Sequence, residues 1–210
     1  MRTEALIRAL VADNKRPVVP ISRMLLMAVL SGMAFSAVLF GITLHVRTDI
    51  WKAIGTVRFD FKLVVTLTLA VTAAMGLPRS ARPQDGNGSP WTLAAAPLLV
   101  AVAVAVDLLM GPHEWLRRLI GQNALHCLLL IPMLSLAPAI ALLLALRSGA
   151  PLNPKAAGAR AGLLASGLGA TLYALTCPDD SPLFIATWYT MATGTVTALC
   201  AYIGRYALRW

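Results

Sequence analysis

Residues 124–146 read ALHCLLLIPMLSLAPAIALLLAL, from Ala124 to Leu146, and this stretch decides the fold. No Asp, Glu, Lys or Arg interrupts it. A bilayer core about 30 Å thick is crossed by ~20 helical residues, so the stretch is long and apolar enough to span a membrane. Five more apolar runs flank it, at 24–46, 59–77, 91–110, 161–176 and 183–204. The run at 161–176 is the shortest and gains length from Ala156 and Ala157. The pattern predicts an all-α polytopic membrane protein, with six transmembrane helices in three hairpins and little of the 210 residues outside lipid.

Composition points the same way. Only 13% of residues are charged, against about 25% in soluble domains. The formal net charge of +9 comes from scattered residues and forms no basic stripe for nucleic acid, so no direct nucleic-acid contact is expected. The basic residues sort by segment. Arg2, Arg8, Lys15, Arg16, Arg23, Arg79, Arg82, Arg147, Lys155, Arg160, Arg205 and Arg209 fall on one side of the predicted bundle. Arg47, Lys52, Arg58, Lys62, Arg117 and Arg118 fall on the other. The positive-inside rule puts the richer side, with both termini, in the cytoplasm. An even number of spans requires the termini to share a side, so count and orientation agree. The first span is too long for a cleavable signal and is expected to remain as an anchor.

The chain divides into a cytoplasmic segment 1–22, a bundle 23–206 and a short tail 207–210. The loops are too short for a separate folded domain. Pro78, Pro83, Gly86, Gly88 and Pro90 mark the second loop as a connector, and residues 148–154 as a turn. Gly158, Gly162, Ser166 and Ala170 recur every four residues, and Gly194 and Ala198 repeat that spacing in the last span. Small residues let helices approach closely in lipid, so these two spans are expected to pack together. Pro97, Pro132 and Pro138 lie inside spans as expected kinks. Trp51, Trp91, Trp115, Trp188 and Trp210 fall near predicted membrane edges, where they would anchor.

Little chemistry is spelled out in the spans. Asp107 lies near the end of the third run, within reach of Arg117 and Arg118, and no ionisable residue sits at a span centre as a pump would need. No P-loop, dinucleotide fingerprint, HExxH or nucleophile elbow occurs. No enzyme activity and no cofactor are expected. The cysteines are the sharpest signal. Cys200 reads as a small buried hydrophobe in the last span. Cys127 opens the fourth span and Cys177 closes the fifth, which places both at one depth on the outer side. Such a pair can form a disulfide, bind a thiophilic metal with His126, or be two unrelated buried thiols. The turn after it, Pro178-Asp179-Asp180-Ser181-Pro182, reads as a solvated acidic loop. In the N-terminal segment, Thr3 can cap a helix whose apolar stripe is Leu6, Ile7, Leu10 and Val11, ended by Pro17 and Pro20. That stripe suits a lipid surface or a partner's groove.

An ordered set of short motifs runs through the whole chain. It opens with Thr3-Glu-Ala-Leu-Ile-Arg-Ala-Leu-Val-Ala-Asp13 and a Pro-containing linker. Cys127-Leu128 before Ile131-Pro132 follows, then the Arg147-Ser-Gly-Ala-Pro151 turn. Tyr173-Ala-Leu-Thr-Cys177-Pro178-Asp179-Asp180, Phe184, Trp188-Tyr189 and the closing Leu208-Arg209-Trp210 complete it. The set resembles the NrsF-like membrane anti-sigma factors of proteobacteria. The resemblance implies an inner-membrane protein that holds an extracytoplasmic-function sigma factor inactive through its N-terminal segment. It also implies that two outward cysteines, matched by Cys127 and Cys177, take part in sensing; Cys200 has no counterpart in that pattern. The rival readings are a membrane thiol oxidoreductase, which the missing CxxC weakens, and a small transporter.

Overall fold

The computed structural model describes residues 3–4, 19–82, 93–110 and 115–209. The predicted sigma-binding stripe of Leu6, Ile7, Leu10 and Val11 lies outside the described residues, as do Trp91, Trp210 and most of the second loop.

Among the described residues there are six long helices: α1 (Ile21–Thr43), α2 (Val57–Ser80), α3 (Ala95–Met110), α4 (Ala124–Leu146), α5 (Pro154–Ala174) and α6 (Thr190–Ala207). Short helical pieces at Ile50–Ala53, Trp115–Ile120 and Pro182–Phe184 sit in the connections, and a π-helical turn, Ile185–Tyr189, leads into α6. No strand occurs among the described residues. Among the described residues, four helical stretches are long and apolar enough to cross a membrane: Ile21–Thr43, Val57–Ser80, Trp115–Leu146 and Pro182–Ala207. α3 is apolar but shorter, and α5 is not among the four.

The reason α5 falls short is its position. It packs most extensively on α6, then on α2 and α4, so it is the hub of the bundle. Of its 21 residues, 13 are buried. A helix wrapped by others has little lipid to satisfy, and it can spend its surface on small residues for close packing. Gly158 and Gly162 face Cys200 and its neighbours on α6, Gly167 faces Ala70 of α2, and Gly169 faces Ser135 of α4. The small residues therefore serve three contacts, where the sequence suggested one stripe. The start of α5 is set locally: Pro154 occupies the first helical position, and the Asn153 side chain accepts from the Ala156 N–H at 3.1 Å.

The predicted pairing of the last two helices holds, but through other residues of α6. Val196, Cys200 and Gly204 are buried against α5, whereas Gly194 has nothing within 4 Å of a Cβ position and Ala198 is exposed. α1 rests on α4, where the Ser36 hydroxyl donates to the Leu134 carbonyl at 2.7 Å. α3 leans on α2 and on the segment leading into α6. Pro132 and Pro138 lie within α4, and α2 continues through Pro78, which the sequence placed in a loop. Pro97 stands in the first turn of α3, where a missing N–H costs no helical hydrogen bond.

Two basic residues read as loop charges are inside the protein. Lys62 is fully buried in α2, and Arg160 is buried in α5, where it donates to the Ser80 hydroxyl.

Candidate functional site

Cys127 and Cys177 lie in one buried cluster at the same end of the bundle, with Ile131, Tyr173, Phe184 and Tyr189. Both are free thiols, 0% and 1% exposed. Cys127 sits in the first turn of α4, and Cys177 lies just beyond α5, where its N–H donates to the Tyr173 carbonyl at 3.1 Å. The Cys177 thiol donates a weak hydrogen bond to the Asp179 carbonyl at 4.0 Å. Burial pushes that thiol above its ordinary range, and Lys62 partly opposes the shift. A buried, protonated thiol is a poor nucleophile, so the resting pair is guarded. His126 is exposed and stands apart from the buried pair. No group of three or more metal-ligating side chains lies together among the described residues.

The cluster is roofed by charges, among them the two carboxylates that the sequence reading took for solvated loop residues. Lys62 Nζ donates to the Cys177 carbonyl at 2.8 Å, to the Asp179 carbonyl at 3.5 Å and to Asp180 Oδ1. Arg47 donates to the other Asp180 oxygen at 2.9 Å and forks onto both Asp49 oxygens at 2.6 and 2.7 Å. Its own N–H meets the Leu175 carbonyl at 3.2 Å. Both cations lie over the ring of buried Phe59. The Arg47 fork holds the exposed Asp49 carboxyl down to about 2.

Asp179 does separate work. Its Oδ2 accepts from Gln122 N–H, Asn123 N–H and Asn123 Nδ2, at 3.1, 2.9 and 3.0 Å. The four residues 177–180 therefore place a cation at the C-terminus of α5 and an anion ahead of the N-terminus of α4, both favoured by the helix dipoles. This corrects the solvated acidic loop: Asp179 and Asp180 are half-buried structural ties. Trp188 is likewise a tie, donating to the Leu119 carbonyl at 2.8 Å, whereas Trp51 and Trp115 are exposed as anchors would be. Gly121 takes the turn before α4 with φ +59°, and the Phe184 ring lies where a side chain would stand. A second charge group tops α3, where buried Asp107 meets Arg58 at 3.4 Å and Arg118 at 3.6 Å.

With this geometry in hand, comparison with known proteins is informative. Residues 10–210 match the family model described as NrsF, negative regulator of sigma F. The chain belongs to the NrsF family. It is 34% identical over 220 residues to the anti-sigma-F factor NrsF of Caulobacter vibrioides (strain NA1000 / CB15N), with 100% of both chains covered. It is 32% identical over 215 residues to the probable anti-sigma-F factor NrsF of Azospira oryzae (strain ATCC BAA-33 / DSM 13638 / PS), again over 100% of both. No solved structure matches it. For this NrsF-family chain, the resemblance read from its ordered motifs is thus established over the full length.

The sequence pointed to the two cysteines and overlooked their surroundings. A signal for Lys62 existed: a lone Lys set among Phe59, Phe61, Leu63 and Val64 needs an acidic partner. The last loop holds two carboxylates and no basic residue.

Proposed function

We propose that this chain is an anti-sigma factor of the bacterial inner membrane that sequesters an extracytoplasmic-function sigma factor. The observation that carries this reading is the full-length match to a family of negative regulators of a sigma factor. Six helices cross the bilayer with both termini in the cytoplasm, as the distribution of Lys and Arg indicates. The sigma factor is held by the N-terminal segment 1–22, with Leu6, Ile7, Leu10 and Val11 as the docking stripe. The burial of Cys127 and Cys177 in one cluster supports their role as the sensing pair. When the pair changes state, the tie from Lys62 to the Cys177 carbonyl is disturbed, and α2, α4 and α5, which meet there, shift together. Turning a 99:1 grip into a 1:99 release takes ~5.5 kcal/mol of differential stabilisation. Joining two thiols covalently is large enough.

The test is affinity purification of the full chain and of a form lacking residues 2–16, from the native host, with mass spectrometry of what binds. A sigma factor recovered with the full chain alone establishes the reading and places the contact in that segment. Good expression of both forms with no sigma factor on either refutes it.

A further inference from the structure

A groove of about 640 Å³ runs between α3 and α6, floored by α2 and α5. α3 packs on α2 and on the segment leading into α6, not along α6 itself, so the groove lies where a helix–helix interface would otherwise close. Along the last helical stretch it extends from Ala186 to Ala201, roughly 20 Å at 1.5 Å per residue. Exposed Gly194 and Ala198 line it. Its wall is apolar despite four threonines. Thr66, Thr190, Thr193 and Thr197 all donate to carbonyls of their own helices, so they offer an occupant no free proton. The groove therefore takes hydrocarbon.

The charged groups stand at its mouths. Gly194, Ala198, Ala201 and Arg205 follow one another at spacings that share one face of α6. Arg205 is exposed one turn past Ala201, and Arg209 lies one turn further. Their guanidinium carbons are 5.6 and 5.7 Å from the centroid of the Tyr206 ring. Tyr206 in turn meets Tyr202 edge-on, with centroids 5.2 Å apart, and both residues are more than half exposed. Exposed tyrosines at a span end belong at headgroup level. A guanidinium resting on a ring keeps its N–H donors free in its own plane. Neither Arg205 nor Arg209 meets a carboxylate or donates a hydrogen bond among the described residues. At the other mouth, beyond Val104, the arginines are already partnered: Arg58 and Arg118 both reach buried Asp107.

We propose that an anionic phospholipid occupies this groove, with one acyl chain along Gly194, Ala198 and Ala201 and its phosphate on Arg205 and Arg209. The inference rests on reading these helices as membrane-spanning and goes beyond the anti-sigma function. One leaflet is half of a ~30 Å core, about ten helical residues deep, so a chain entering at Ala201 reaches Met191 and fills most of the groove. Two cations without a carboxylate favour a headgroup of net negative charge over a zwitterionic one, whose ammonium they repel. A second copy related by a two-fold axis along the membrane normal would bring its own Arg205 and Arg209 to the same mouth, like charge against like.

The full chain, purified in detergent and stripped of lipid, is titrated with phosphatidylglycerol and with phosphatidylcholine of the same acyl chains. Bound lipid is counted by native mass spectrometry. The expected result is one firmly held phosphatidylglycerol per chain, preferred about tenfold or more over phosphatidylcholine. Arg205→Gln/Arg209→Gln abolishes the preference, because each Arg at an anionic headgroup is worth roughly fivefold. Ala198→Leu, which fills the groove from an exposed position, weakens both lipids and keeps their ratio. Thermal unfolding of the lipid-free variants stays at the wild-type value. Equal affinity of the wild type for the two lipids, or a preference that survives in the arginine variant, overturns the headgroup site. Wild-type binding by Ala198→Leu overturns the groove as the seat of the chain. An arginine variant that keeps its phosphatidylglycerol and loses the sigma factor makes the patch a protein-docking surface and overturns the proposal. Sigma-factor binding by the wild-type preparation reports separately on the anti-sigma reading.

Discussion

Lys62 is the residue on which the cysteine end depends. Its ammonium is fully buried and divides its protons among two carbonyls and Asp180. Removing one partner of a buried ion pair leaves the other charge uncompensated, at a cost of about 3 kcal/mol. Lys62→Met is therefore expected to lower unfolding stability in detergent by about that amount and to speed alkylation of Cys177. Adding Asp180→Asn should recover part of the loss, because it removes the stranded carboxylate. Asp49 gives a pH test. Its folded carboxyl lies at about 2, below the ordinary 3.8. The pair with Arg47 is thus complete above pH ~4, where an unfolded Asp is also ionised, and its contribution is lost as the pH falls through about 2. Titration of the Asp49 carboxyl by NMR should place its midpoint there, and a midpoint near 4 would mean the fork does not form.

At the scale of the element, α5 is the organising helix. A Cβ on Gly162 would stand 2.8 Å from the Cys200 side chain and from the Thr197 backbone, whereas one on Gly194 would meet nothing within 4 Å. Gly162→Leu should therefore cost several kcal/mol of unfolding free energy, or abolish folding, while Gly194→Ala should leave it unchanged. The same contrast shows what could be read from the chain. Hydropathy located the helices, because length and apolar content are written in consecutive residues. The spacing of small residues singled out α5 and α6 as partners. It did not say which face of α6 turns inward, since Gly194–Ala198 and Cys200–Gly204 carry the same four-residue spacing. Cys127 and Cys177 could be placed at one depth by counting along spans. The Lys62–Asp180 tie joins residues 118 positions apart, and no local pattern encodes a contact of that separation.

At the scale of the whole molecule, the protein is a bundle with a richly hydrogen-bonded end that surrounds a pair of thiols, while its sigma-docking segment is proposed at the opposite side of the bilayer. The central claim is that these two ends are coupled: a disulfide between Cys127 and Cys177 weakens the hold of segment 1–22 on the sigma factor. The direct measurement is the affinity of the full chain, in lipid nanodiscs, for its purified sigma factor, before and after oxidation with diamide, in the wild type and in Cys127→Ser/Cys177→Ser. The account predicts a loss of affinity of at least tenfold in the wild type and none in the double variant, with equal affinity for the two reduced proteins. Equal release from both oxidised proteins, or none from a wild type shown to carry the disulfide, would contradict it.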